Sequence, residues 1–453
     1  MFVLRILLIS ANQHTQPHPV YPLGLDYVMG AIAKHHYVQV VDYAGDGGEE
    51  SLDSVIAAFH PDVVGISLRN IDNVEVGSPQ TLWAHVQGLI SQIRENCPAC
   101  IVLGGSGFSI FPKKILAITG ADYGILGEGE RFGPFLKALE DGNPVESLPG
   151  VISREMSTPK APIPFQGQIQ RHLSSIPESA AFYLQNSGIL NLQTKRGCPF
   201  KCVYCTYPYL EGKGLRCFDP QAVGDEARRL QEAGAKFLFI VDSVFNSNEE
   251  HSLAVAEAFV KAGVSIPWGG FFSPLPASAD YYQKMARAGM THVEFGTESL
   301  SNPVLKSYGK PFRLEDIYTA HKHALDAGLN VAHYLLLGGP GETDDTLAQT
   351  LDRADQMERA LFFFFEGIRI YPNTCLCDIA IQEGLIQPEQ DLLQPIYYSS
   401  PKCGKDQISS RLEISAQGRA NWIIGSGGQS FESVTRMLYR RGYSGPLWER
   451  LIK

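Results

Sequence analysis

The stretch that decides the fold is RGCPFKCVYCTYP, residues 196–208. It follows a stretch at 191–195 that is expected to be a strand and puts Cys198, Cys202 and Cys205 on one short loop in the spacing C-x3-C-x2-C. Three thiolates so placed can hold three corners of a cubic iron–sulfur cluster, which leaves the fourth iron open to a chelating small molecule. A closed zinc site would want a fourth protein ligand, and the loop offers none. Downstream, strand-like runs at 237–241, 265–269, 292–296, 331–337 and 362–371 alternate with helix-like stretches, several of which close on Ala-Gly. The repeat predicts an α/β fold of the (β/α) barrel type with six units, a partial barrel, and sets the thiol loop at the carboxyl end of its first strand, where barrel chemistry belongs.

Working back from the loop, residues 151–190 are proline-containing and irregular and read as a linker. Residues 1–150 alternate near-continuous apolar runs (3–9, 38–41, 63–67, 101–104, 123–126) with helical stretches. That pattern predicts a doubly wound, Rossmann-like parallel sheet with its ligand crevice at the strands' carboxyl ends. The expected domains are therefore 1–150, a linker at 151–190, a partial barrel at 191–375 and a poorly periodic C-terminal extension at 376–453.

With 453 residues, a formal net charge of −10 and 44% hydrophobic content, the chain is long enough for normal cores and disfavours a broad nucleic-acid-binding face. No run approaches the roughly 20 apolar residues of a membrane span. Nine cysteines, three of them clustered, favour metal or catalytic use in a reducing, cytoplasmic setting over a disulfide framework. Cys97 and Cys100 lie between a helix and a strand and read as core or surface residues. Cys375, Cys377 and Cys403 match no cluster spacing. No Gly-Lys-Ser/Thr occurs, which excludes a P-loop, and no G-x-G-x-x-G follows the first strand, which argues against nicotinamide binding. Glu366, Arg369 and Tyr371 end the sixth barrel strand and are candidates to face a substrate.

The cysteine loop resembles that of radical S-adenosylmethionine (SAM) enzymes, and Tyr204, just before the third cysteine, also matches their pattern. Three further segments fall in the family's order: FIVDSVFN with Asp242, HVEFGTES with Glu298 and Ser299, and LLLGGPGET with Gly338, Gly339 and Gly341. The resemblance implies a [4Fe–4S] cluster on Cys198, Cys202 and Cys205, and SAM contacts from Tyr204, Asp242, Glu298, Ser299 and the three glycines. The first domain is similar to the cobalamin-binding domain that precedes many radical SAM barrels. The similarity is carried by YPLGLDYV (21–28), PDVVGISLRN (61–70), IVLGGSGFS (101–109) and GILGEGE (124–130). It implies cobalamin contacts from Pro22, Gly24, Ser67, Arg69, Asn70, Gly104, Gly105, Ser106, Gly107, Phe108, Gly127, Glu128 and Gly129. The D-x-H-x-x-G motif that supplies a lower cobalt ligand is absent. His14 and His18 stand in that loop without it, and the resemblance leaves the lower cobalt face without histidine, with Arg69 in reach of it.

What the resemblance implies is reductive cleavage of SAM to a 5′-deoxyadenosyl radical, hydrogen abstraction from an unactivated carbon, and methyl transfer through methylcobalamin to a small-molecule or lipid-like substrate. An external one-electron reductant is required. Ring formation, ring contraction or lipid modification with the same cofactors is the first alternative, and a non-catalytic cobalamin sensor the second. A tRNA methylthiolating enzyme would want a basic RNA module and further cluster cysteines near the N-terminus, and the chain has neither.

Overall fold

The computed structural model describes residues 3–15, 18–45, 49–77, 79–156, 158–165, 171 and 180–452. Gln16 and Pro17 of the first loop, and residues 157, 166–170 and 172–179 of the expected linker, lie outside them. The chain divides into two compact units, one holding Pro19–Asn73 and Pro79–Tyr183 with the N-terminal strand, the other holding Leu184–Lys453 with the short segment Val74–Ser78.

In the first unit, β1 (Arg5–Ser10), β2 (Tyr37–Asp42), β3 (Val63–Ser67), β4 (Cys100–Gly104), β5 (Tyr123–Ile125) and β6 (Val151–Ser153) form one sheet in the order β2-β1-β3-β4-β5-β6. The first five are parallel, joined by helical crossovers, and β6 runs antiparallel to β5. Ile6, Leu7, Leu8 and Ile9 are all buried, because β1 lies in the sheet's interior and is covered on both faces. The order reverses between β1 and β3, so the crevice of this doubly wound sheet opens where their carboxyl ends diverge. The stretch expected as a linker starts inside this sheet: its first three residues are β6, a strand too short to show an alternation.

In the second unit, β7 (Ile189–Leu192), β8 (Lys195–Arg196), β9 (Arg216–Cys217), β10 (Phe237–Ile240), β11 (Trp268–Phe272), β12 (Met290–Glu298), β13 (Asn330–Leu337), β14 (Ala360–Glu366), β15 (Ile368–Arg369), β16 (Tyr397–Tyr398) and β17 (Trp422–Ile424) follow in turn. Seven of them make an all-parallel sheet in the order β7-β10-β11-β12-β13-β14-β17, with no pairing between β7 and β17 among the described residues, as in a partial barrel. Four of the helices between them start on side-chain caps: Asp219 accepts from Ala222 N, Asn248 from His251 N, Ser278 from Tyr281 N and Thr343 from Thr346 N.

Three details depart from the sequence reading. The run expected as one strand at 191–195 is broken into β7 and β8, because Thr194 and Lys195 are drawn onto the Asp242 carboxylate. The run expected at 362–371 is also broken. Gly367, at φ +68°, turns the chain after β14, and β15 pairs antiparallel with β16 instead. The C-terminal extension supplies a seventh strand, β17, parallel to β14.

Lys195 and Asp242 form a buried ion pair at 2.8 Å, with side chains 1% and 0% exposed, and Lys195 also donates to Phe245 O at 2.7 Å. Asp242→Ala strands the ammonium in the interior and is expected to destabilise the protein by about 3–5 kcal/mol. A denaturant midpoint unchanged from wild type would show that the pair is not structural.

Candidate functional site

The cysteine loop hangs between β8 and β9, which pair antiparallel through Lys195–Cys217 and Arg196–Arg216. Gly197 begins it at φ +85°, and a Cβ there would lie 2.1 Å from Gly214 O, so only glycine fits. Cys198 N donates to Gly212 O, Cys205 N to Cys202 O and Val203 N to Tyr308 O, which clasps the loop from both sides. Cys198 is buried, while Cys202 and Cys205 are half-buried. Burial pushes the Cys205 thiol up to about 12 and raises Cys198 as well, and the nearby Cys202 sulfur adds to both. Protons held in this way must leave when the thiolates bind iron.

Glu298 ends β12 in the left-handed region, at φ +64°, and the β12–β13 register shifts between Gly296 and Glu298. A bulge in which a non-glycine residue takes positive φ is a device for aiming a side chain, and such conformations collect at functional sites. The carboxylate so aimed accepts from Tyr204 OH at 2.8 Å and from Lys310 Nζ at 3.1 Å. The same ammonium reaches Tyr204 OH at 3.3 Å and Cys202 Sγ at 3.6 Å. Burial works against the Lys310 charge, but the Glu298 carboxylate and the Cys202 sulfur outweigh it, so its pKa lies above the ordinary value. Burial and Glu298 raise Tyr204 well above its usual value, which keeps the phenol protonated as a donor. Lys310 escaped the sequence reading; a lone lysine in the link between two helices carries no pattern.

The other expected SAM residues are placed differently. Asp242 is fully engaged with Thr194 and Lys195 and so anchors the segment that leads into the cysteine loop. Ser299 turns its hydroxyl toward Thr350 and accepts from Ser301 N. Gly339 and Gly341 give room to side chains of the protein itself: an added Cβ would meet Tyr308 OH at 2.3 Å and Ser307 Oγ at 2.9 Å. Gly338, at φ +83°, donates its N–H to Glu342. Tyr308 is the unforeseen partner here, donating to Leu336 O and accepting from Gly339 N. Of the candidate substrate residues, Glu366 accepts from Ser409, and Arg369 is buried, donating to Ile370 O and Leu392 O with Tyr371 beneath its guanidinium.

In the first unit the loops after β3 and β4 are zipped together. Gly107 N and Ser106 Oγ both donate to Arg69 O at 2.8 Å, and Phe108, fully buried, donates its N–H to Leu68 O. A Cβ on Gly105 would lie 2.5 Å from Leu68 O. Gly24, by contrast, has nothing within 4 Å of such a Cβ, and Gly104 only Ile125 O at 4.0 Å. Ser67, Arg69 and Asn70 follow the carboxyl end of β3, with Arg69 Nε 3.4 Å from Asn70 Oδ1. Pro22 caps the first helix. Gly127 donates its N–H to Ser109 Oγ, Glu128 accepts from Phe165 N, and Gly129 packs on Val28. In the loop after β1, Asn12 exchanges hydrogen bonds with the His14 backbone.

The radical SAM superfamily model matches residues 192–354, and the B12-binding domain model matches residues 11–133. The chain belongs to the cobalamin-dependent radical SAM enzymes. Its cofactors are a [4Fe–4S] cluster, SAM and cobalamin. It is 25% identical to cytidylyl-2-hydroxyethylphosphonate methyltransferase of Streptomyces wedmorensis, over 87% of this chain and 84% of that one. It is 24% identical to hopanoid C-3 methylase of Methylococcus capsulatus, over 70% and 60%. The solved structure of the radical SAM methyltransferase TsrM from Kitasatospora setae, with tryptophan and a SAM analogue bound, matches with a TM-score of 0.86 at 20% identity, covering 98% of this chain and 97% of that one. No described helix is long and apolar enough to cross a membrane.

The residues present fit these groups. Among the described residues no three metal-ligating side chains converge on one ion position. A cubic cluster does not ask for that, since each thiolate takes a different iron. The open space beside Gly24 and Gly104 suits close passage of a bulky cofactor along the backbone. Replacing Lys310 with Met removes a cation beside a cluster thiolate and is expected to make the cluster harder to reduce, with Arg restoring part of the loss. A redox titration followed by electron paramagnetic resonance reads this, and an unchanged midpoint would place Lys310 away from the cluster.

Proposed function

We propose that this enzyme moves a methyl group from SAM to an unactivated carbon of a small organic substrate. The observation that carries the reading is the meeting of Cys202, Tyr204, Glu298 and Lys310 at the carboxyl end of the second sheet, in a chain that also has a B12-binding domain. When bound, the cluster, SAM and cobalamin supply radical formation and methyl transfer. The protein's part is to hold and orient. Cys198, Cys202 and Cys205 hold the cluster. Glu298, fixed by Lys310 and kept in aim by its bulge, hydrogen-bonds the ribose or amino-acid part of SAM, and Tyr204 lies beside the adenine. Gly24, Gly104 and the zipped loops around Arg69 and Gly107 would line the cobalamin site and hold that cofactor against the sheet, with Arg69 as the cation of this rim. The methyltransferases among the relatives support this reading. The nine free thiols suit a reducing cytoplasm, where an external one-electron donor is at hand.

Two measurements test it. Glu298→Ala is expected to weaken SAM binding by roughly 1.5–3 kcal/mol, the scale of a hydrogen bond to a charged group, with iron content preserved. An unchanged SAM dissociation constant would remove Glu298 from the site. Anaerobic incubation of the loaded enzyme with methyl-deuterated SAM, reductant and candidate metabolites is expected to yield 5′-deoxyadenosine and a product carrying the label by mass spectrometry. A product that has only lost hydrogen would contradict methyl transfer and favour ring formation.

A further inference from the structure

The seven-stranded sheet has one face packed under its helices and one face that curves inward. Phe295, His333, Phe362 and Phe364 belong to the helix side, stacked ring on ring. Because side chains alternate along a strand, their neighbours project from the concave face. There Phe239 and Phe271 meet at 5.0 Å between centroids, Phe271 and Tyr334 at 6.3 Å, and Tyr334 stacks on Phe363 at 4.7 Å and on Phe365 at 6.3 Å. Phe271 lies on β11 and Tyr334 on β13, so their contact spans the whole of β12; only strong inward curvature allows it.

The floor of this hollow is closed and its polarity is spent. Glu294, fully buried beneath the rings, accepts from Tyr334 OH at 2.8 Å and from Trp448 Nε1 at 2.9 Å. His292 packs edge-on to Trp448 and lies 3.2 Å from Glu449. Towards the carboxyl ends of the strands the face opens. Phe271 is 40% exposed although rings flank it, and Tyr334 and Phe365 are half-buried. Glu298 ends β12 at that same rim. An exposed phenylalanine in mid-sheet gives up burial worth keeping unless something covers it. With Glu294 already holding two donors, the wall has aromatic faces to offer and no charge to spare, which selects a neutral, flat ring over a charged group or a sugar.

We propose that the concave face of the second sheet binds the planar, apolar ring of the methyl acceptor over Phe271, Tyr334 and Phe365. The inference rests on the proposed methyl transfer and names its substrate class. Glu294 is a positioning residue that sets the Tyr334 ring through its hydroxyl.

The probes are indole and n-octanol, titrated into the cluster- and cobalamin-loaded enzyme and followed by saturation-transfer NMR. Indole is expected to bind more tightly than n-octanol, roughly 2- to 12-fold, the range set by ring–ring contacts beyond buried area. Phe271→Leu keeps apolar volume and removes the ring. It should erase that preference while n-octanol binding, iron content and SAM affinity persist. Equal or tighter binding of n-octanol by the wild type would overturn the inference and indicate an alkyl-chain site. Indole binding untouched by Phe271→Leu would overturn it by placing the probe elsewhere. The outcome is separable from the reaction itself. Indole bound as described, with metabolites that only lose hydrogen in the deuterated-SAM assay, would contradict the proposed function alone, and transfer to an acceptor with no planar ring would contradict only this inference.

Discussion

Glu298 Oε1 and Lys310 Nζ stand 3.1 Å apart in a site where both side chains are nearly buried, and the same ammonium lies 3.6 Å from the sulfur of Cys202. A carboxylate and an ammonium so placed each depend on the other, since losing either leaves an uncompensated charge out of water. That dependence ties three distant parts of the chain together. The thiol loop comes from after β8, the bulged end from β12, and the lysine from the link before the next helix. The strained φ of Glu298 is tolerated because Tyr204 and Lys310 hold its carboxylate from two directions.

A second carboxylate secures the base of the arrangement. Asp242 takes Thr194 N–H, the Thr194 hydroxyl and the Lys195 ammonium, and thereby fixes the two residues that launch β8 and the cysteine loop. The two acids lie at the carboxyl ends of β10 and β12, two strands of one sheet with β11 between them, but differ in what they face. Asp242 is sealed with a full set of donors, whereas Glu298 shares its oxygen within a half-open rim. This contrast separates an acid that builds the loop from one that can also meet a ligand.

Much of this was legible in the sequence. The C-x3-C-x2-C spacing, the aromatic at 204 and the acid at 298 are local patterns, and the parallel sheets follow from apolar runs alternating with helices. What escaped is tertiary in origin. Lys310 and Tyr308 enter the site from a helix end that has no periodic signal. The expectation that Asp242 and Ser299 turn toward SAM did not include the hydroxyl partners that engage them, Thr194 and Thr350, which lie 48 and 51 residues away in the chain. The glycines at 338–341 read as room for a ligand, while the structure gives that room at two of them to Tyr308 and Ser307. Strand β17 is three residues long and falls below any pattern that a window could register.

Mössbauer spectroscopy of protein loaded with the 57-iron isotope tests most directly whether a single thiolate loop leaves one iron of the cluster without a cysteine. One iron in each cubic cluster is expected to be distinct from the other three, as three cysteine ligands require. Four equivalent thiolate-ligated irons, or an unchanged spectrum when Cys198, Cys202 and Cys205 are all replaced by Ala, would contradict it.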